Sequence, residues 1–101
     1  FFRKTLLFAK ENNINIFFIT YPTSKPYNDF LLEKNVSKKQ HYDEIIEAAN
    51  GALNEGAYQT LDYYELFFNN TEYFANIDHL NYNGSIVLSK QINADLKQLK
   101  L

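Results

Sequence analysis

Ile14-Asn15-Ile16-Phe17-Phe18-Ile19-Thr20-Tyr21 is β-branched or aromatic at nearly every position, and Pro22 follows it directly. Near-continuous apolarity of this kind, without one-face alternation, is the pattern of a strand buried in a parallel sheet, and Pro22 ends it. Upstream, Phe2, Leu6 and Ala9 recur at helical spacing through Glu11, and Asn12-Asn13 supply a polar stop. A helix therefore feeds the strand, the first half of an α/β unit.

Working outward, residues 22–39 contain two prolines and several Asn and Asp residues, with only Phe30-Leu31-Leu32 suggesting a helical turn. This reads as a long loop, and long loops in compact domains often carry function. From Gln40, the residues Tyr42, Ile45, Ile46, Ala49 and Leu53 recur every three or four positions, predicting a second amphipathic helix that ends near Gly56. Tyr58 to Tyr64 reads as a shorter strand, and Leu66-Phe67-Phe68 as a helical turn. Asn83 is the expected cap of a last helix whose apolar stripe runs through Leu88, Ile92, Leu96 and Leu99. Strands alternating with helices predict parallel crossovers covered on both faces, an α/β fold of the flavodoxin-like three-layer sandwich kind. Two strands alone make a marginal sheet. Either another short strand lies in the loops, or residues 1–101 are the C-terminal part of a larger α/β domain. The second is favoured, and the initial Phe and the absence of Met agree with a processed or excised chain.

One domain of 101 residues with 46% hydrophobic content has the material for a core, and 17% aromatic residues argue against disorder. Ten basic and twelve acidic side chains are interspersed for a net charge of -2, so no basic tract invites nucleic acid. Cysteine is absent, which excludes disulfides, thiolate chemistry and cysteine-held zinc. The Asn-x-Ser/Thr triplets at Asn35, Asn69 and Asn83 are expected by chance in so Asn-rich a chain. No apolar run approaches the roughly 20 residues of a membrane-spanning helix. Three glycines leave no phosphate loop or dinucleotide fingerprint, and no cofactor is expected.

The chemistry concentrates in Phe74-Ala-Asn-Ile-Asp-His-Leu-Asn-Tyr-Asn-Gly84. It sets His79, one of two histidines, beside Asp78 in a polar loop, where a neutral imidazole can serve as general base. Asp78 is a candidate to orient the ring, although a loop carboxylate more commonly accepts backbone N–H bonds. Asn81 can pin the loop or donate to a substrate, Leu80 is expected to bury itself, and Tyr82 to pack beside it. Ser85 reads as a residue of the helix start. His41, in Lys38-Lys39-Gln40-His41, reads as an exposed helix start, and no metal site is expected because no helix carries a His-x-x-x-His pair. Ser24 lies just past the first strand, where parallel sheets collect active sites, but Pro22-Thr-Ser-Lys-Pro26 is equally natural as a turn. Lys25 and Tyr27 are candidates for a substrate rim.

At this loop the sequence resembles the closing block of the SGNH, or GDSL-like, hydrolase superfamily. It looks most like the extracytoplasmic bacterial branch that handles polysaccharide O-acetyl groups and D-alanyl transfer to teichoic acid. Phe74 and His79-Leu80-Asn81-Tyr82-Asn83-Gly84 match that branch's pattern, and the helix that follows matches in kind. Ala9 to Pro22 is similar to the helix and core strand that precede it. The resemblance implies that His79 is the catalytic base. It also implies an Asp three residues earlier, and here the chain departs, because Asn76 stands there. An amide oxygen can fix the imidazole tautomer but cannot offset imidazolium charge as a carboxylate does, so either activity is weakened or Asp78 has taken the role. The family's serine and its oxyanion-hole Gly and Asn blocks have no match in these residues, and the nucleophile is expected upstream.

The function expected on this resemblance is the C-terminal part of a serine ester hydrolase or acyltransferase, with His79 as base and Asn76 or Asp78 holding the ring. Its substrate would be a small acyl ester, such as an O-acetyl group of a cell-surface glycan. The chain's partner would be the upstream part of the same protein, in an extracytoplasmic or membrane-associated setting, and the isolated chain would be inactive. The alternatives are a non-catalytic binding or assembly domain that retains the fold, and a stand-alone flavodoxin-like domain.

Overall fold

The computed structural model describes residues 2–53 and 58–99. Helix α1 (Phe2–Glu11) leads into strand β1 (Ile16–Thr20), followed by α2 (Lys25–Glu33), α3 (Lys38–Leu53), strand β2 (Tyr58–Asp62), a 3-10 turn (Thr71–Tyr73) and α4 (Tyr82–Gln98). The two strands pair in parallel, from Ile16 opposite Tyr58 to Thr20 opposite Asp62. Among the described residues the fold is thus a mixed helix and strand arrangement around a two-stranded parallel sheet with four helices. Among the described residues there is no third strand, so no additional strand lies in the described loops.

The polar stop after α1 works as expected: Asn13 takes a positive φ of 56°, a conformation Asn tolerates, and the Ile14 N–H bonds back to the Ala9 carbonyl at 2.8 Å. The predicted end of α3 near Gly56 lies outside the described residues. Residues 22–39 are not one long loop. They hold α2, begun by Ser24, whose extended backbone and side-chain oxygen cap the helix, with Pro26 in the first turn. Ser followed closely by Pro is a helix start, because Pro has no N–H to lose there and its φ suits the first turn.

Alternation along the parallel strands sorts the packing. Ile16 and Phe18 point to the face where Leu6 of α1 is buried against Leu7 and Ile46 of α3. Leu61, opposite Ile19, points to the other face and packs on the cluster of Tyr63, Phe67 and Leu88, which α4 helps to build. Helices therefore lie on both faces. β1 itself is less buried than its composition predicts: Ile19 is 44% exposed, and Ile14 and Tyr21 at its flanks are exposed too. The physical reason is that the layer containing α4 covers Leu61 but leaves Ile19 open.

The carboxyl ends of the strands are knitted together. The Thr20 hydroxyl donates to the Asp62 carboxylate and accepts from the Tyr63 N–H, while Asp62 also accepts from the Tyr64 N–H. The Thr20 bond leads in holding the Asp62 carboxyl below its ordinary value, with the Tyr64 N–H and the charge of Lys39 adding to it against a smaller desolvation. Beyond the strands, the Thr23 N–H reaches the Tyr64 carbonyl and the Tyr64 hydroxyl reaches the Asn28 side chain on α2. These contacts fix the start of α2 relative to the sheet. No helix among the described residues is long and apolar enough to cross a membrane.

Candidate functional site

The loop between the 3-10 turn and α4 is closed at its neck. Phe74 and Leu80 form an antiparallel bridge, the Ala75 N–H donates to the His79 carbonyl at 2.8 Å, and the Asn81 N–H donates to the Tyr73 carbonyl at 2.9 Å. Phe74 and Leu80 also pack on the core cluster, so the neck is anchored in apolar contact while the tip, residues 75–79, stands exposed. Tyr82 does not pack beside Leu80; it is 79% exposed on the outer side of α4.

Asn81, not Asn83, caps α4. Its Oδ1 accepts from the Gly84 N–H at 2.8 Å, and its Nδ2 donates to the Glu72 carbonyl at 2.6 Å. A cap must have extended backbone and reach the N–H three residues on; Asn81 does both, whereas Asn83 is already inside the first turn. Gly84 is required by closeness, since a Cβ there would fall on the Tyr73 carbonyl oxygen and 3.0 Å from Tyr73 Cβ. The first turn of α4 is thereby seated directly on the 3-10 turn.

Within the tip, Asn76 organises the histidine. Its Oδ1 accepts from the Asp78 N–H at 2.8 Å and the His79 N–H at 2.9 Å, an Asx turn, and lies 3.1 Å from Nδ1 of the His79 ring. Two backbone donors identify this atom as the amide oxygen, which only accepts. Nδ1 must then carry the ring proton, and Nε2 carries the lone pair. Asp78 is turned away from the ring towards Lys38, whose Nζ lies 3.7 Å from its carboxylate and 5.2 Å from the centre of the Tyr27 ring. Between the two residues expected to orient His79, the geometry brings Asn76 to the ring.

Ser24 meets this loop from the other side. Its side chain is buried, its hydroxyl donates to the Ile77 carbonyl at 2.7 Å, and its oxygen accepts the Tyr27 N–H at 3.2 Å. The seam between α2 and the loop opens into an apolar groove of about 220 Å³ lined by Ser24, Pro26, Thr71, Phe74, Asn76 and Ile77. Neither Lys25 nor Tyr27 lines it. Lys25 pairs with Asp29 one turn on, at 2.8 Å, and Tyr27 sits under Lys38. Thr71 and Pro26 were not legible as groove residues, because only the docking of the 3-10 turn near the start of α2 brings them together. His41 is exposed on α3, remote in sequence from the loop.

No family model matches the chain, and no curated protein or solved structure matches it. Among the described residues no group of three or more His, Cys, Asp or Glu side chains is placed to hold a metal ion. What the arrangement offers is an imidazole with a fixed tautomer and its lone pair at Nε2, next to an apolar groove at the carboxyl end of β1. Such a pairing suits proton abstraction from a hydroxyl delivered to Nε2, with an apolar group held alongside.

Proposed function

We propose that the chain is the C-terminal part of an SGNH-like ester hydrolase or acyltransferase with a flavodoxin-like three-layer domain, and that His79 is its general base. The observation that carries this reading is the triple acceptance by Asn76 Oδ1, which leaves Nε2 of His79 as the basic nitrogen. A serine supplied by a preceding part of the protein would attack the ester carbonyl, passing its proton to Nε2; the imidazolium would then return that proton to the leaving alkoxide. Asn76 holds the ring throughout. The groove beside it has the size and apolar character for a small acyl group, such as an O-acetyl group of a surface glycan.

One observation favours a second reading, a binding or assembly domain that keeps the fold without catalysis. An amide holds the ring where a carboxylate would be needed to offset imidazolium charge, and Asp78 is engaged with Lys38 instead. The two readings separate in a crystal structure of the longest native form of the protein. A serine oxygen within about 3.5 Å of His79 Nε2 supports the hydrolase. Nε2 facing solvent with no hydroxyl in reach refutes it and leaves the binding domain.

A further inference from the structure

We propose that Ser24 is a positioning residue for His79, acting as a buried tether that holds the histidine loop against the start of α2. The proposal rests on the reading of His79 as the base, but its geometry is independent of any nucleophile. The Ile77 carbonyl receives the Ser24 hydroxyl at 2.7 Å, and Ile77 lies between Asn76, which fixes the ring, and Asp78. Ile77 itself is 54% exposed, so its side chain contributes little to anchoring the tip. The Asx turn of Asn76 sets the local shape of the tip, while the tether sets where that shape sits relative to the sheet.

Ser24 is well placed for this. It is 2% exposed, and its own position is fixed from two directions: by the Thr23 N–H bond to Tyr64 at the end of the sheet, and by its capping bond to Tyr27. With its one proton given to Ile77 and its oxygen accepting from Tyr27, the hydroxyl is already committed as a donor within the fold. That argues against Ser24 as the nucleophile and for a structural link between β1 and the base. The groove is formed across this link, with Pro26 on one wall and Phe74 and Ile77 on the other. Loss of the link would widen the groove and shift the imidazole together.

The test uses the intact protein uniformly labelled with 15N, the His79 signals being assigned by their loss in His79→Gln. In the unmutated protein the ring nitrogens should report an Nδ1–H tautomer, and the Ser24 hydroxyl proton should exchange slowly enough to show contacts to the loop. Ser24→Ala removes the tether and the helix cap. Ser24→Gly removes the tether while keeping most of the capping preference, and Ser24→Thr keeps both. Ala and Gly should each speed amide exchange at Asp78 and His79 by roughly tenfold, the effect of one lost hydrogen bond, and move the ring towards a mixture of tautomers. Thr should restore both. An unchanged His79 tautomer and unchanged loop exchange in Ala and Gly would refute the tether, as would an equal acceleration across α1 and α4, which marks general destabilisation. If the variants do not fold, a Ser24 hydroxyl proton in free exchange with water in the unmutated protein refutes it. These readouts require no ester turnover, so a missing nucleophile overturns the hydrolase reading and leaves the tether standing.

Discussion

If the proposed hydrolase reading holds, Asn76→Asp should raise ester hydrolysis by the intact protein. The substitution exchanges an amide oxygen for a carboxylate oxygen at the same position, 3.1 Å from Nδ1 of His79. The Asp78 and His79 N–H groups that now reach the amide at 2.8 and 2.9 Å would reach the carboxylate equally well, so the turn should persist and its bonds become charge-assisted. The gain comes in the transition state, where the ring carries positive charge. Opposite unit charges about 4 Å apart attract by about 1 kcal/mol in water and by about 4 kcal/mol at an effective dielectric constant of 20. The loop tip is exposed, so the lower figure applies, and about 1 kcal/mol is about a fivefold rise in kcat/KM. Asn76→Ala is the counterpart: it deletes three accepted bonds and should lower kcat/KM by at least about tenfold. The assay is the initial rate on a chromogenic acetyl ester, with amide exchange at Asp78 and His79 confirming that the turn is intact. A rate for Asn76→Asp at or below that of the unmutated protein, with the turn preserved, would show that Asn76 does not serve the base.

The other expected outcomes concern the supports of the loop. Gly84→Ala drives a methyl group onto the Tyr73 carbonyl, which is backbone and cannot step aside; a loss of about 2 kcal/mol or more, read as the urea midpoint, is expected, and a neutral effect would mean that α4 is not seated there. Asn81→Ala removes the α4 cap and the bond to Glu72, and should cost about 1–2 kcal/mol in the same measurement, whereas Asn83→Ala should be near neutral. Tyr63→Phe deletes a hydroxyl that donates to the Asp95 carboxylate at 2.6 Å, with an expected loss of about 1–2 kcal/mol near neutral pH. Burial, then the bond to and charge of Asp95, push the Tyr63 hydroxyl from its ordinary 10.0 up to about 12. A raised pKa stabilises the folded state fully below about pH 10, and that contribution disappears as pH rises towards 12. The difference in Tm between Tyr63→Phe and the unmutated protein should therefore shrink across that window, and a constant difference would refute the assignment.

Local structure was legible wherever a single periodicity governed it. Phe2, Leu6 and Ala9 marked α1, the apolar run to Tyr21 marked β1, and the stripe through Leu88, Ile92 and Leu96 marked α4. Helix α2 was missed because its turn residues, Asn28 and Asp29, resemble loop punctuation, while the signal that mattered was the Ser24 cap with Pro26 behind it. Asn81 and Asn83 were confused because both are Asn near the same helix start, and composition does not say which one has extended backbone.

For the candidate site, the sequence alone determined the chemistry on offer: one histidine in a polar loop, an amide three residues before it, and an aspartate beside it. Only the tertiary structure decided which side chain meets the ring, because neighbours along an irregular loop point in directions set by its hydrogen bonds. Asn76 turned inward when its oxygen accepted two backbone N–H groups, and Asp78 turned out to Lys38 of α3. The bond from Ser24 to Ile77 spans 53 residues. A contact of that separation has no periodicity to betray it; it exists because the packing on the sheet sets the start of α2 against the histidine loop.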